Sequence, residues 1–163
     1  MSIEACRAYF RALGREQDIL EFDVSSATVE LAAQAVGCES ARIAKTLSFS
    51  VGGGCVLLVC AGDAKIDNRK FKDQFHTKAV MLTPEQVLAF TGHAVGGVCP
   101  FAINHPAVTT YLDCSLQRFH TVFPAAGSSN SAIELTMDQL EEYSRAKGWV
   151  DVCKGWRDEE EEA

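Results

Sequence analysis

Two stretches of the chain hold residue types that could act on an anionic or carbonyl-bearing ligand. The first is "RIAKTLSFSV", where Lys45 stands at the start of an apolar strand, flanked by Ala44 and Leu47. An ammonium is a compact point charge suited to carboxyl, carbonyl or phosphate oxygens. A single lysine at a strand end more often snorkels to the surface; projecting into a cleft, it would be a fixed cation. The second is "TGHAVGGVCPF", with Gly92, Gly96 and Gly97 ahead of Cys99 and Pro100. Glycines sit where the chain takes a positive φ or where another group approaches the main chain closely. The proline fixes the last turn and holds Cys99 extended. The run is either a surface turn or a rigid loop whose backbone N–H groups are aimed at a ligand. Such donors can stabilise an oxygen as it becomes anionic, and removing one costs roughly 3–4 kcal/mol of transition-state stabilisation. The spacing is not that of a dinucleotide fingerprint or a P-loop.

Cys99 with His93, His105 and His120 brings a thiol–imidazole nucleophile or a zinc site into consideration. Cysteine is also a small hydrophobe that is often buried, and no pair here has metal-ligand spacing. Neither a metal nor a cofactor is therefore expected, and a thiol-dependent hydrolase using Cys99 stands as a rival reading. Asp113, which ends "TTYLD", reads as a turn or hydrogen-bonding residue rather than a general base.

The elements that must position these residues belong to one domain. With 163 residues the chain is long enough for a real core, and its 47% hydrophobic and 23% charged content is ordinary for a soluble protein. No apolar run is long enough to span a bilayer, and "MSIEACRAYF" lacks the basic region followed by an apolar one expected of a leader peptide. Seven scattered cysteines without a CxxC pair point to free thiols in a reducing cytoplasm. A net charge of −7 argues against a general nucleic-acid binder. The charge is uneven, however: Arg42, Lys45, Lys65, Arg69, Lys70, Lys72 and Lys78 face only Asp63, Asp67 and Asp73 in the same stretch. The domain is expected over 1–155, with 156–163 an acidic, solvated and frayed tail.

Periodicity predicts a helix from Ser2, as its cap, to Gly14, a strand at 19–22, and a second helix in "SSATVELAAQAVG". Leu47, Phe49 and Val51 alternate with polar residues as in a half-buried strand; "GGG" makes a turn and "CVLLVCA" a central strand. A short basic helix runs from Asp67 to Phe75, and "AVML" reads as a strand. "TPEQVLAF" starts with a capping box and a first-turn proline, ending at Gly92. Strands follow near 108–112, 121–124 and 132–135, then a capped helix at "TMDQLEEYSRAKG" and a short "WVDV" segment. Strands mixed irregularly with short helices give a single α+β (mixed α/β) domain.

In the order "AAQAVG", "IAKTLSFSV", "LLVCAGDAKID", "LTPEQVLAFTGHAVGGVCPF", "TTYLD" and "FPAAG", the chain resembles the YbaK/prolyl-tRNA-synthetase-associated editing domain family in its free-standing form. The strand lysine, the Gly62–Asp63 turn and the glycine–proline loop at one consistent spacing carry the likeness. It implies a mixed, largely antiparallel, partly closed sheet surrounded by helices. It also implies an aminoacyl-tRNA deacylase that removes a wrong amino acid from tRNA, cysteinyl- or alanyl-tRNA of the proline acceptor being the natural substrates. Lys45 matches the family's functional lysine, and Gly96 to Pro100 match its Gly-x-x-x-Pro motif, so Lys45, Gly96, Gly97 and Pro100 become the catalytic set. Thr46, Gly92, Val98, Cys99 and Phe101, with Gly127, Ser128 and Asn130, become the substrate contacts. Lys65, Arg69, Lys70 and Lys72 are candidates for acceptor-stem phosphates or a solvated helix face. The partners implied are the acceptor end of a mischarged tRNA and a prolyl-tRNA synthetase, with no membrane. The alternative is a non-catalytic module of the same fold that holds an aminoacyl or nucleotide end, or a synthetase.

Overall fold

The computed structural model describes residues 2–23 and 28–157. In chain order its elements are α1 (Ser2–Ala12), β1 (Ile19–Glu21), α2 (Val29–Val36), β2 (Ile43–Val51), β3 (Gly54–Ala61) and β4 (Lys65–Ile66). Then come α3 (Asn68–Phe75), α4 (Pro84–Thr91), β5 (Val108–Asp113), β6 (Thr121–Pro124) and β7 (Ser131–Ile133). The chain closes with β8 (Leu135–Thr136), α5 (Met137–Ser144), β9 (Gly148–Val150) and β10 (Cys153–Lys154). The Ser2 cap, the Ser25–Ala27 end of the second helix and the tail from 158 lie outside the described residues or side chains.

The helices start where side chains satisfy their first amides. Thr28 accepts from the amide of Leu31, and Asp67 from those of Arg69 and Lys70. Thr83–Gln86 and Thr136–Gln139 form reciprocal capping boxes, the first with Pro84 in the opening turn. α2 and α4 stop at Gly37 and Gly92, both left-handed.

A curled mixed sheet in the order β8-β6-β2-β3-β5-β9 organises the rest, with β1-β7 and β4-β10 as two-stranded additions. Four of the seven strand pairs are antiparallel, while β6-β2, β3-β5 and β5-β9, three of the five pairs in the six-stranded sheet, are parallel. β3 lies between β2 and β5 and is buried from Cys55 to Ala61, as a continuous apolar run requires. The two faces of the sheet pack differently. Phe49 of β2 meets Phe71 of α3 at 4.8 Å between ring centres, and Phe75 meets Tyr111 of β5 at 5.2 Å. On the other face Cys55 and Leu57 of β3 pack with Leu82 and Val87 at the start of α4, and Phe10 of α1 meets Phe101 at 4.9 Å.

Two expected strands come out differently. "AVML" forms only a bridge between Met81 and Phe49, flanked by Ser50 N–H to Val80 O and Leu82 N–H to Ser48 O. Thr83 and Pro84 turn the chain into α4 before a longer ladder can form. The 132–135 strand is split, because β7 pairs with β1 while β8 pairs with β6; Glu134 at the break turns to Arg42 and Thr121. Trp156 and Arg157 remain packed, with the Arg157 guanidinium 4.0 Å from the Trp156 ring centre.

Gly62, just after β3, allows a close approach that no side chain would permit. A Cβ there would stand 2.0 Å from the Ser40 carbonyl oxygen and 2.7 Å from Val29 Cγ1. Gly62→Ala is expected to destabilise the fold by about 2–3 kcal/mol. Gly148→Ala, with nothing within 4 Å, should leave the urea midpoint unchanged. Equal midpoints for the two variants would refute the packing argument.

Candidate functional site

The edge of β2 away from β3 is covered at both ends and open between them. β6 pairs with it only at Ile43 and Ala44, and Pro124, with no N–H to extend a ladder, is its last paired residue. Farther along, Met81 bridges Phe49 and Leu82 donates to Ser48 O. Among the described residues Lys45, Thr46 and Leu47 therefore have no strand partner on that side, an opening of about 10 Å at the rise of a strand. Ser48 C=O and Ser50 N–H point outward from β2. By the alternation of a strand, the N–H and C=O of Thr46 point the same way, into the opening.

Around this opening is a cavity of ≈ 500 Å³, within the range of small-molecule sites. Val29 and Ala32 of α2, Pro84 and Val87 of α4, Phe123 of β6 and Ser131 of β7 are among its walls. The expected residues that line it are Lys45, Thr46, Gly96, Val98 and Ser128. The strand lysine and the glycine loop thus share one hollow. Among the described residues Lys45 is its one charged lining residue, and none of them brings a carboxylate, imidazole or thiol to the lining. The Lys45 ammonium donates to the carbonyl of Ala64, which is fully buried. An ammonium has three donors, and this bond uses one of them.

The loop from 92 to 101 is fixed by buried polar groups. His93 is 1% exposed, and its Nε2 lies 2.8 Å from Phe101 O. A carbonyl only accepts, so Nε2 carries the proton and the imidazole ties the two ends of the loop together. Thr91 donates to Val87 O and accepts from the His93 amide. The Gly97 amide donates to Ala94 O at 3.0 Å. It is thus engaged within the turn, and an oxyanion donor expected at Gly97 must be sought elsewhere in the loop. Gly97 is instead needed for contact: a Cβ would stand 2.9 Å from Gly127 O and from Ser128 Cα.

The remaining candidates lie outside the cavity lining. Gly92 is the exposed left-handed cap of α4. Pro100 lines a smaller cavity of ≈ 180 Å³ beside Tyr9 and Tyr143. Phe101 is core, and Gly127 is buried against Gly97. Asn130 donates to Phe22 O, with its Oδ1 2.9 Å from Ser128 Oγ. Cys99 is fully buried behind the loop, its Sγ 3.5 Å from both Cys6 Sγ and His93 Nε2. Burial and the neighbouring thiol push Cys99 well above the ordinary thiol range, which argues against the thiol-dependent reading. Cys6, His93 and Cys99 are close enough to one another to hold an ion, but the Phe101 carbonyl makes Nε2 a donor. His105 accepts from the Ala107 amide at an exposed turn, and His120 is exposed. Asp113 is buried, accepting from the amides of Ser115 and Val152, as a structural residue does. Lys65 follows the Ala64 carbonyl directly; Arg69 and Lys72 are exposed on α3, while Lys70 is paired with Asp151. The walls Val29, Ala32, Met81 and Phe123 carry no chemical signature in the sequence and were found only through the fold.

The sequence matches the family described as "Aminoacyl-tRNA editing domain" over residues 24–143, most of the chain. The chain belongs to the aminoacyl-tRNA editing domain family. This editing domain is 56% identical over 158 residues to the uncharacterized protein YwhH of Bacillus subtilis (strain 168), covering 96% of this chain and 99% of that protein. It is 29% identical over 93 residues to a proline–tRNA ligase of Thermotoga neapolitana, 56% of this chain and 16% of the ligase. A crystal structure of a candidate trans-editing enzyme for prolyl-tRNA synthetase superposes with a TM-score of 0.84 at 30% identity, over 94% of this chain and 98% of the other. No helix among the described residues of the editing domain is long and apolar enough to cross a membrane.

Two outcomes test the loop's architecture. Iodoacetamide should modify the part-exposed Cys38 well before the buried Cys6 and Cys99 of the native protein; equal rates would place Cys99 at the surface. Burial also lowers His93 below its ordinary pKa of about 6.5, against the Phe101 carbonyl, which favours the charged form. The unfolded chain then binds that proton first, so the stability is whole above about pH 6.5 and is lost as pH falls through the lower folded value. Urea unfolding near pH 7.5 and near pH 5.5 should show this loss, and His93→Gln should reduce it. An unchanged pH slope in His93→Gln would remove the buried imidazole from the account.

Proposed function

We propose that the chain is a trans-editing deacylase that hydrolyses the ester of mischarged tRNA, with cysteinyl- or alanyl-tRNA of the proline acceptor as substrate. The observation that carries this reading is the single cavity bounded by Lys45 on β2 and by Gly96 and Val98 of the loop. An aminoacyl ester is already activated and needs chiefly orientation and a dipole for the developing oxyanion. Water adds to the acyl carbon, the carbon–oxygen bond to the ribose breaks, and the ribose oxygen leaves with a proton. Among the described residues the cavity lining offers no carboxylate or imidazole, and the neighbouring ribose hydroxyl positions the water and shuttles that proton. With the Gly97 amide engaged, the main chain at Gly96 and Val98 is the candidate oxyanion partner. The Thr46 carbonyl at the open edge of β2 is suited to accept from the substrate's α-amino group. Lys45 anchors the terminal phosphate or the aminoacyl end. Lys65, Arg69 and Lys72 extend positive charge from beside Ala64 toward the acceptor stem.

A lining without a general base among the described residues equally suits a module that holds a charged tRNA end without cleaving it. A panel of mischarged tRNAs separates the two readings. The protein should release one small amino acid faster than buffer does, and Lys45→Ala should slow release by about 100-fold or more while the melting temperature stays close to wild type. Tight binding with the ester intact would establish the binding module. Lys45→Ala activity within a few-fold of wild type would remove the lysine from the mechanism.

A further inference from the structure

The Gly62–Asp63 turn has no part in the reading above, yet its geometry bears directly on Lys45. The turn ends at Ala64, whose carbonyl receives the Lys45 ammonium. It is held from three directions. Gly62 lies against the Ser40 carbonyl at a distance that no Cβ would allow. The Ala64 amide donates to Ala61 O, closing the turn. Asp63 accepts both arms of Arg118, Nη2 to Oδ1 at 2.6 Å and Nη1 to Oδ2 at 3.0 Å.

Arg118 is itself fixed. Its Nε donates to Ser115 O and its Nη1 also to Trp156 O, and its guanidinium lies 4.8 Å and 5.0 Å from the ring centres of Phe119 and Trp156. Ser115 in turn accepts from the Ala61 amide at the end of β3. A planar guanidinium with two parallel bonds to a carboxylate sets an orientation that a lysine cannot reproduce. The side chains of Asp63 and Arg118 are 35% and 28% exposed, so the pair contributes little to global stability while still setting local geometry.

We propose that Asp63 and Arg118 are positioning residues for Lys45, their bidentate pair holding the turn whose Ala64 carbonyl fixes the ammonium of this cavity-lining lysine. The proposal rests on the deacylase reading for its catalytic consequence, but the placement of the ammonium can be read without any activity. The clamp restricts Lys45 to one of the orientations open to a four-carbon stem. Loosening it leaves the charge present and the cavity intact, with the ammonium spread over more positions.

The experiment compares wild type, Asp63→Asn and Arg118→Lys, with melting temperatures checking that all three fold. Lys45 modification by an amine-acylating reagent is followed by mass spectrometry, with the exposed Lys147 as internal reference. Asp63→Asn should raise the relative rate at Lys45 about five-fold, the population change that one ordinary hydrogen bond supports. Arg118→Lys, which keeps the charge but loses the fork, should fall between. On the mischarged tRNA with the fastest turnover, kcat/KM should fall about 10-fold in Asp63→Asn, in line with a small displacement of a reacting group. Wild-type labelling of Lys45 in both variants would overturn the proposal, even if turnover fell. Raised labelling in a protein that deacylates no tRNA would uphold the clamp and overturn the deacylase reading.

Discussion

The interrupted edge of β2 is the constraint on which the site depends. A strand edge in a compact protein is normally paired or shielded, because its N–H and C=O groups are obligatory hydrogen-bonding partners. Here two prolines bound the interruption. Pro124 is the last paired residue of β6, and Pro84 turns the chain away after Met81 and Leu82 have met the far end of β2. What remains is a short length of main chain that water or a ligand must satisfy. The walls close around it because α2 and the loop after α4 arrive from opposite sides.

That arrangement separates two kinds of polar group. Three buried groups, His93, Asp113 and Ser115, bind backbone and fix loops, and none of the three lines the cavity. Among the described residues the cavity offers hydroxyls, main chain and one ammonium. A buried imidazole tying the ends of the 93–101 segment makes the glycine loop a preformed surface, so its dipoles need no reorganisation when charge develops on a ligand. The neutral state that burial imposes on His93 suits this structural role, since a charged ring there would be costly.

Much of this was legible in the sequence. The capping boxes at Thr83 and Thr136, the apolar run of β3 and the glycine turn all act through local physics, and each is where its residues imply. "AVML" misled because a run of strand-forming residues says nothing about how far its neighbour extends. Only the fold shows that Pro84 cuts the pairing to one bridge. At the site, residue type pointed to Lys45 and the glycine loop, and the family resemblance added Thr46, Val98 and Ser128, whereas neither pointed to Val29 or Phe123. An apolar residue facing a cavity and one facing a core have the same periodicity. Cys99 and Phe101 show the converse, because adjacency to a functional loop did not reveal which side chains turn inward.

A cavity of this composition has one strong electrostatic anchor and otherwise sorts ligands by shape. Apolar walls discriminate modestly, one methylene being worth about 1–3 kcal/mol. Met81 and Val95 at the walls are 58% and 64% exposed, so that part of the boundary is not set by close packing. The rigid parts are the β2 edge, the α2 wall held against Gly62, and the loop seated on Gly127 and Ser128. Under the proposed function, selection against larger groups would fall on the side of Val29, Ala32 and Phe123, where α2 is held against Gly62. The exposed rim beside Met81 and Val95 can adapt to whatever carries the bound group. A site that recognises the end of a much larger molecule requires this division, with stiff walls reading the small moiety and an open margin for the remainder.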